Sequence, residues 1–135
     1  MLLSGSSATL NFYLTNFTDE STLVNAVRSI RYLDGNTNTT GALRLMRTEI
    51  FNPANGDRLD VPNVAILITD GEPTYEVAGL DEEVLRIKNS GVRIVGVGVT
   101  NAVSDSAAMQ IFSIISENLT CISSGRSVKF SLLKT

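Results

Sequence analysis

The sequence predicts an α/β fold in which a mostly parallel sheet is covered by helices on both faces. Two apolar runs, Val64 to Ile68 and Val92 to Val99, lack polar alternation, which is typical of strands buried on both faces. From residue 63 onward, the patterns follow the order strand, helix, strand, helix, strand. The 135 residues suffice for one domain with a hydrophobic core, and we expect residues 1–135 to form a single domain.

The first third of the chain predicts one strand and one helix. From Ala8 to Leu14, apolar and polar residues alternate, which indicates a half-buried strand near a sheet edge. Thr18 is the predicted N-cap of a helix, because acidic residues follow it and suit the positive end of a helix dipole. Leu23, Val27 and Ile30 then recur at helical spacing and predict an amphipathic helix.

The following segment predicts a polar loop, a second helix and a surface loop. Asp34-Gly35-Asn36 interrupts the helical pattern, and a run of threonine and asparagine continues to Thr40. Leu43, Met46 and Ile50 share one face of the second helix. Residues 52–62 are polar and contain proline and glycine, so they form a surface loop.

The last third predicts two further helices and short strands. Leu80, Val84 and Ile87 mark a third helix that ends at Gly91. A fourth helix can start at Ser104-Asp105. Residues 119–122 are a short strand candidate, and residues 128–133 fit either a helix or a strand.

Composition excludes several classes of function. The formal charge is -3, with 11 basic and 14 acidic residues mixed along the chain, so no basic patch indicates a nucleic-acid partner. No apolar run approaches the roughly 20 residues that span a bilayer, and the first ten residues do not resemble a secretory signal. The chain has no histidine, which excludes Ser-His-Asp, Cys-His and histidine-based zinc sites.

Cysteine and asparagine offer four positions for covalent modification. The single cysteine, Cys121, is either a small buried apolar residue or half of a disulfide whose partner lies outside this chain. Three Asn-X-Thr triplets begin at Asn16, Asn38 and Asn118 and are N-glycosylation acceptors if the chain is secreted. A glycan at Asn38 would obstruct the polar loop described above.

Two segments carry oxygen ligands suited to a hard cation. Asp70 follows the strand Val64 to Ile68 and lies at its carboxyl end, where ligands bind in parallel sheets. The loop around Thr37 offers hydroxyl and amide oxygens of the kind that magnesium prefers. Each segment also has a plain structural interpretation: Asp70-Gly71 opens a turn, and Thr37 or Thr39 caps the second helix.

Two enzymatic interpretations are weaker. Gly96 and Gly98 resemble part of a dinucleotide fingerprint, but they lie inside a strand and the third glycine is missing, so close backbone packing explains them better. Asp70 resembles the strand-end nucleophile of some phosphatases, which need a second carboxylate two residues later; that position is Glu72 here, and the rest of the signature is absent.

Four segments together resemble the von Willebrand factor type A domain family, especially its collagen-like and matrix members. Ile30 to Leu43 is similar to the family's loop with Gly-Asn-Thr and Thr-Gly-x-Ala-Leu. Val64 to Gly71 is similar to its strand ending in Thr-Asp-Gly, and Gly91 to Val99 to its Gly-Val-x-Ile/Val strand. Leu14 to Asp19 resembles the stretch before a family helix. The resemblance covers essentially the whole chain.

The resemblance implies a doubly wound, mostly parallel sheet with one antiparallel edge strand, lacking the family's first strand and first helix. It implies that Thr37 binds a metal ion directly and that Asp70 holds it, commonly through water. The third part of the family's metal-ion-dependent adhesion site, Asp-x-Ser-x-Ser, is absent from this sequence. Residues 2–7 contain serines but no aspartate, and they lie immediately before the predicted edge strand. We therefore expect weak or no binding of Mg²⁺ or Mn²⁺.

The same resemblance implies an extracellular adhesion or matrix protein-binding module that is part of a longer protein. Its expected partner is a matrix or cell-surface protein, with collagen among the candidates, and we expect neither nucleic acid binding nor a membrane span. A metal-independent interaction domain and an inactive fragment are the alternatives. A hydrolase that uses Asp70 is the third hypothesis; the leading expectation is a protein that is not an enzyme.

Overall fold

The computed structural model describes residues 2–4, 6–31, 35–69, 73–100, 118–123 and 126–130. They fall into two compact units, Met1–Val61 with Pro73–Glu83, and Pro62–Glu72 with Val84–Thr135. The prediction of a single domain over residues 1–135 therefore stays a prediction. The fourth helix predicted from Ser104-Asp105 lies outside the described residues.

The first unit begins with a small antiparallel hairpin. Strands β1 (Leu2–Ser4) and β2 (Ala8–Leu10) pair with Leu2 opposite Leu10 and Ser4 opposite Ala8. The strand predicted from Ala8 to Leu14 therefore ends at Leu10; residues 11–13 are irregular, and a turn covers residues 14 and 15.

Helix α1 (Glu20–Arg28) follows, and its N-cap is Asp19 rather than the predicted Thr18. The Asp19 carboxylate accepts hydrogen bonds from the backbone N–H of Thr22 at 2.9 Å and from the hydroxyls of Ser21 and Thr22. A carboxylate accepts more bonds than one threonine hydroxyl, and this favours a helix start one residue later. The apolar stripe of α1 is only partly covered, since Leu23 and Val27 are exposed.

Helix α2 (Thr39–Leu45) packs against both strands of the hairpin. It continues into a π-helical turn, Met46–Ile50, closed by the N–H of Phe51 donating to the carbonyl of Met46 at 3.0 Å. The predicted apolar face is confirmed, because its three residues are all buried: Leu43, Met46 and Ile50. Residues 52–62 form the predicted loop, which includes a short 3-10 turn at Pro53–Asn55.

Helix α3 (Leu80–Asn89) is the third predicted helix. Its predicted stripe of Leu80, Val84 and Ile87 is buried, each side chain being at most 4% exposed. Gly91 has a φ of 80°, the left-handed conformation that glycine supplies after a helix end.

The second unit contains a four-stranded sheet. Its strands lie in the order β3 (Val64–Thr69), β4 (Arg93–Thr100), β5 (Asn118–Ser123) and β6 (Arg126–Phe130). The first three are parallel, as predicted, and β6 is antiparallel to β5. Residues 128–130 of the predicted tail therefore belong to a strand, whereas residues 131–133 lie outside the described residues, and β5 and β6 form a hairpin. This arrangement is α/β, in agreement with the predicted fold class.

One prediction about β3 is wrong. The continuous apolar run predicts burial on both faces, but exposure alternates along the strand. Val64, Ile66 and Ile68 are 52%, 67% and 67% exposed, while the intervening residues are half-buried. Within the described sheets β3 is also an edge strand, because it pairs only with β4. Strand β3 therefore presents an unpaired edge and an exposed apolar face within the described sheets.

No helix among the described residues is long and apolar enough to span a bilayer.

Candidate functional site

The polar loop before α2 lies against the turn that joins β1 and β2. Gly35 has a φ of 123°, and a Cβ built there would stand 2.8 Å from the Oγ of Ser6. The backbone N–H of Asn36 donates to the same oxygen at 3.3 Å. Glycine is therefore required at position 35 for its conformation and for space. The sequence pattern gave no reason to place Ser6 here, because the contact depends on how the hairpin folds back.

Asn38 caps helix α2. Its side-chain Oδ1 accepts a hydrogen bond from the N–H of Gly41 at 2.7 Å, and Asn38 is only 5% exposed. The interpretation that Thr37 or Thr39 is the cap is therefore wrong. A Cβ at position 41 would lie within 2.9 Å of the Asn38 amide, so the glycine makes room for the capping side chain.

Thr37 is held by the segment that follows the predicted metal aspartate in sequence. Its N–H donates to the Oγ1 of Thr74 at 2.8 Å. Its carbonyl accepts from the N–H groups of Thr74 and Tyr75, at 3.0 and 3.3 Å. The backbone of Thr37 is thus fully engaged, whereas its hydroxyl has no hydrogen bond within the described part of the chain.

Glu76 makes two further contacts with helix α2, one through its carbonyl and one through its carboxylate. It adopts the left-handed conformation, with a φ of 53°, and its carbonyl accepts from the hydroxyl of the fully buried Thr40 at 2.9 Å. Its carboxylate lies 3.3 Å from Nη1 of Arg44 in an exposed ion pair. Main-chain and side-chain hydrogen bonds therefore join Pro73–Glu76 to α2 and to the residues before it. These bonds hold the loop that carries Thr37 in place.

A buried ion pair lies in the same compact unit as the loop that carries Thr37. The carboxylate of Glu83 is 2% exposed, and its Oε1 lies 2.6 Å from Nε of Arg47. Nη2 of Arg47 donates to the other oxygen at 3.3 Å, and Nε of Arg44 lies 3.9 Å from it. The hydrogen bond to Glu83 raises the pKa of Arg47 above its ordinary value. Sequence reasoning overlooked Glu83, although it lies three residues after Leu80 on the buried stripe of α3.

The predicted site residues are only partly described. Thr37 is half-buried in the loop beside Thr74, and Asp70 lies outside the described residues. Of the three glycosylation candidates, Asn16 is exposed, Asn38 is buried, and Asn118 opens strand β5.

The described oxygen donors do not by themselves fit a divalent cation. Thr37, Thr74 and Ser6 offer only neutral hydroxyl oxygens, whereas protein sites for such cations normally include at least one carboxylate. The residues that the structure describes contain no group of three or more histidine, cysteine, aspartate or glutamate side chains able to hold a metal ion.

Comparison with known proteins identifies a family and several relatives of this chain. Residues 1–130 match the von Willebrand factor type A domain family. Matrilin-1 of Gallus gallus is 34% identical over 100 residues, which are 74% of this chain and 20% of that protein. Cochlin of Bos taurus is 27% identical over 74% of this chain and 18% of its own length. The human collagen alpha-5(VI) chain is 33% identical over 67% of this chain and 4% of its own length. The chain thus spans a fifth or less of these relatives.

Solved structures show the same fold. Proximal thread matrix protein 1 from the mussel byssus superposes with a TM-score of 0.80 and 18% identity, over 91% of this chain and 31% of that one. A second structure of that protein, with a zinc-occupied MIDAS motif, gives a TM-score of 0.73 and 23% identity over 91% of this chain and 29% of that one. Together with the match over residues 1–130, these similarities show that the chain belongs to the von Willebrand factor type A domain family.

Proposed function

We propose that this chain is a protein-binding module of the extracellular matrix, with an incomplete cation site, and that it is not an enzyme. Its relatives include matrilin, cochlin and collagen chains, and the mussel protein that shares its fold is a thread matrix protein. A matrix protein, with collagen as the first candidate, is the proposed partner. The location is proposed to be extracellular, as part of a longer protein.

The observation that carries the proposal is the attachment of Thr37 to Thr74. The two residues exchange hydrogen bonds at 2.8 and 3.0 Å, and the hydroxyl of Thr37 has no partner within the described residues. Asp70 precedes Thr74 by four residues, so chain connectivity keeps their Cα atoms within about 15 Å. Chain connectivity thus permits the pairing of Thr37 and Asp70 on one cation, which the family resemblance implies and which we propose.

Two ligands are too few for tight binding. Thr37 contributes a neutral oxygen and Asp70 one carboxylate, whereas a cation of this kind takes six or more oxygen ligands. We therefore propose that Mg²⁺ or Mn²⁺ binds this chain weakly, with a Kd above about 1 mM, the weak end of the range for oxygen-ligand cation sites. The zinc-occupied motif of the mussel protein supports divalent cations as the class of ligand in this family.

Metal titration and collagen binding test the proposal on the unglycosylated protein from bacteria. We expect Mn²⁺ to bind weakly to the original chain and to Thr37→Ser, which keeps the hydroxyl. Thr37→Val and Asp70→Ala should abolish that binding. Tight, Asp70-dependent binding of Mn²⁺ would contradict the incomplete site.

Immobilised collagen separates the three hypotheses. Binding that is lost with EDTA and in Asp70→Ala supports cation-dependent adhesion. Binding that survives both treatments favours a metal-independent interaction surface. Turnover of a phosphate ester that is lost in Asp70→Ala would instead favour the hydrolase and overturn the proposal that the chain is not an enzyme.

A further inference from the structure

Two of the Asn-X-Thr triplets differ in burial: the triplet at Asn38 is buried, whereas the triplet at Asn16 begins at an exposed side chain. Asn38 is 5% exposed and its Oδ1 caps α2, and Thr40 of the same triplet is 0% exposed and donates to the carbonyl of Glu76. A branched, hydrated glycan cannot be accommodated at a buried side chain without displacing this cap. A chain modified at Asn38 therefore could not adopt the described fold.

Asn16 has the opposite environment. It lies in the exposed loop between β2 and α1, and its Oδ1 accepts from the N–H of Tyr13 at 2.6 Å. Within the described residues, neither its Nδ2 nor the exposed hydroxyl of Thr18 has a hydrogen-bond partner. The Tyr13 bond thus orients the amide through its oxygen and leaves the nitrogen available.

A cavity adjoins Asn16. It is open to solvent, has a volume of about 530 Å³, and is lined by Phe12, Phe17, Asn16 and Arg31 among others. The two rings meet edge to face, with centroids 5.1 Å apart, and both are half-buried. The lining therefore combines aromatic surface with polar groups, a combination that suits a sugar, which has an apolar C–H face and polar edges.

We propose that Asn16 is an N-glycosylation site of this domain, that Asn38 remains unmodified, and that the first sugar packs over Phe12 and Phe17. In the transfer step, Nδ2 of Asn16 attacks the anomeric carbon of a lipid-diphosphate-linked oligosaccharide. A C–N bond forms, the C–O bond to phosphate breaks, the lipid diphosphate leaves and Nδ2 loses one proton to the transferring enzyme. The proposal rests on the proposed extracellular location.

Peptide mapping by mass spectrometry tests which asparagine is modified. The chain is expressed through the secretory pathway of a eukaryotic cell with an added leader, in an Asn118→Gln background, because the side chain of Asn118 is not described. We expect one glycan, at Asn16, lost in Asn16→Gln and Thr18→Ala and kept in Thr18→Ser. An unmodified Asn16 in the secreted protein, or a glycan at Asn38 in folded protein, overturns the assignment.

Thermal unfolding tests the packing of the sugar. One sample is trimmed to a single N-acetylglucosamine, and another is stripped by an amidase that converts Asn16 to aspartate; unglycosylated Thr18→Ala, which keeps the Asn16 amide, controls for the introduced carboxylate. The intact and one-sugar forms should share a Tm at least about 2 °C above the stripped form, and Phe17→Leu should reduce that difference. Equal Tm values for all three forms would overturn the packing. Collagen binding, measured on unglycosylated protein, is independent of either result.

Discussion

The carboxylate of Glu83 and the guanidinium of Arg47 form a bidentate ion pair, with distances of 2.6 Å from Nε to Oε1 and 3.3 Å from Nη2 to Oε2. Glu83 is only 2% exposed. The ion pair joins the first turn of α3 to the π-helical turn after α2. Both elements belong to the unit that holds Thr37, so the pair stabilises the frame of the candidate site.

Removing Arg47 should be costly. Arg47→Ala leaves a buried carboxylate with Arg44 at 3.9 Å, and we expect a loss of about 3 kcal/mol in the free energy of unfolding. Arg44→Ala is the matched control: its side chain is 48% exposed, so the loss should be below about 1 kcal/mol. Urea denaturation measures the free energy of unfolding of both variants. Equal losses would show that the burial of Glu83 does not determine how much the ion pair stabilises the protein.

Gly41→Ala should weaken the start of α2. A Cβ there displaces the Asn38 amide from its cap, and the lost bond outweighs the better helix propensity of alanine, for a net cost of about 1–2 kcal/mol. Gly79→Ala is the control, because its Cβ would meet only Thr40 Cγ2 at 3.4 Å. Shortening the cap with Asn38→Ser should recover part of the stability lost in Gly41→Ala. No recovery would indicate that another contact causes the loss.

Because of Asp19, the stability of α1 should fall as the pH is lowered into the acid range. Hydrogen bonds from the Thr22 side chain, the Thr22 backbone and Ser21 lower the pKa of Asp19 to about 2 from the ordinary 3.8. Because the folded pKa is the lower one, this contribution is present above about pH 4 and is lost as pH falls toward about 2. NMR titration of the carboxyl carbon should show the low pKa, raised in Thr22→Val. Asn caps well without titrating, so Asp19→Asn should remove this part of the pH dependence; an unchanged profile would exclude Asp19 as its source.

Two identical substitutions in the second unit should differ because of burial. Ile66→Thr on β3 changes a side chain that is 67% exposed and keeps β-branching, so it should alter stability by less than about 0.5 kcal/mol. Ile94→Thr on β4 changes one that is 4% exposed, and it should cost about 2–3 kcal/mol. A large loss of stability in Ile66→Thr would mean that its face is covered in solution.

The sequence predicted most of the elements because their signals are local. The apolar stripe of α2, the apolar runs that form strands β3 and β4, and the glycine after α3 can all be recognised from the local sequence. Capping was less predictable, since Asn38 and Thr37 both carry suitable oxygens. Only the packing of Gly41 against the amide decides between them.

Features that depend on distant contacts could not be predicted. An apolar run does not reveal whether a neighbour covers each face, so the exposure of Ile66 was missed. The bonds between Thr37 and Thr74, and the contact of Asn36 with Ser6, join residues about 30 or more positions apart. The family resemblance, not the spacing of residues, identified Thr37 and Asp70 as partners, and that pairing stays a prediction.

The parallel ladder of β3 and β4 has a consequence for how the chain folds. The whole of α3 lies between these two strands, whereas the hairpins β1–β2 and β5–β6 each join neighbours in sequence. Closing the longer loop costs more entropy, so local pairs form early and this ladder forms late. During that interval the uncharged strand from Val64 to Thr69 has no partner on either edge, which leaves it open to aggregation until β4 pairs with it.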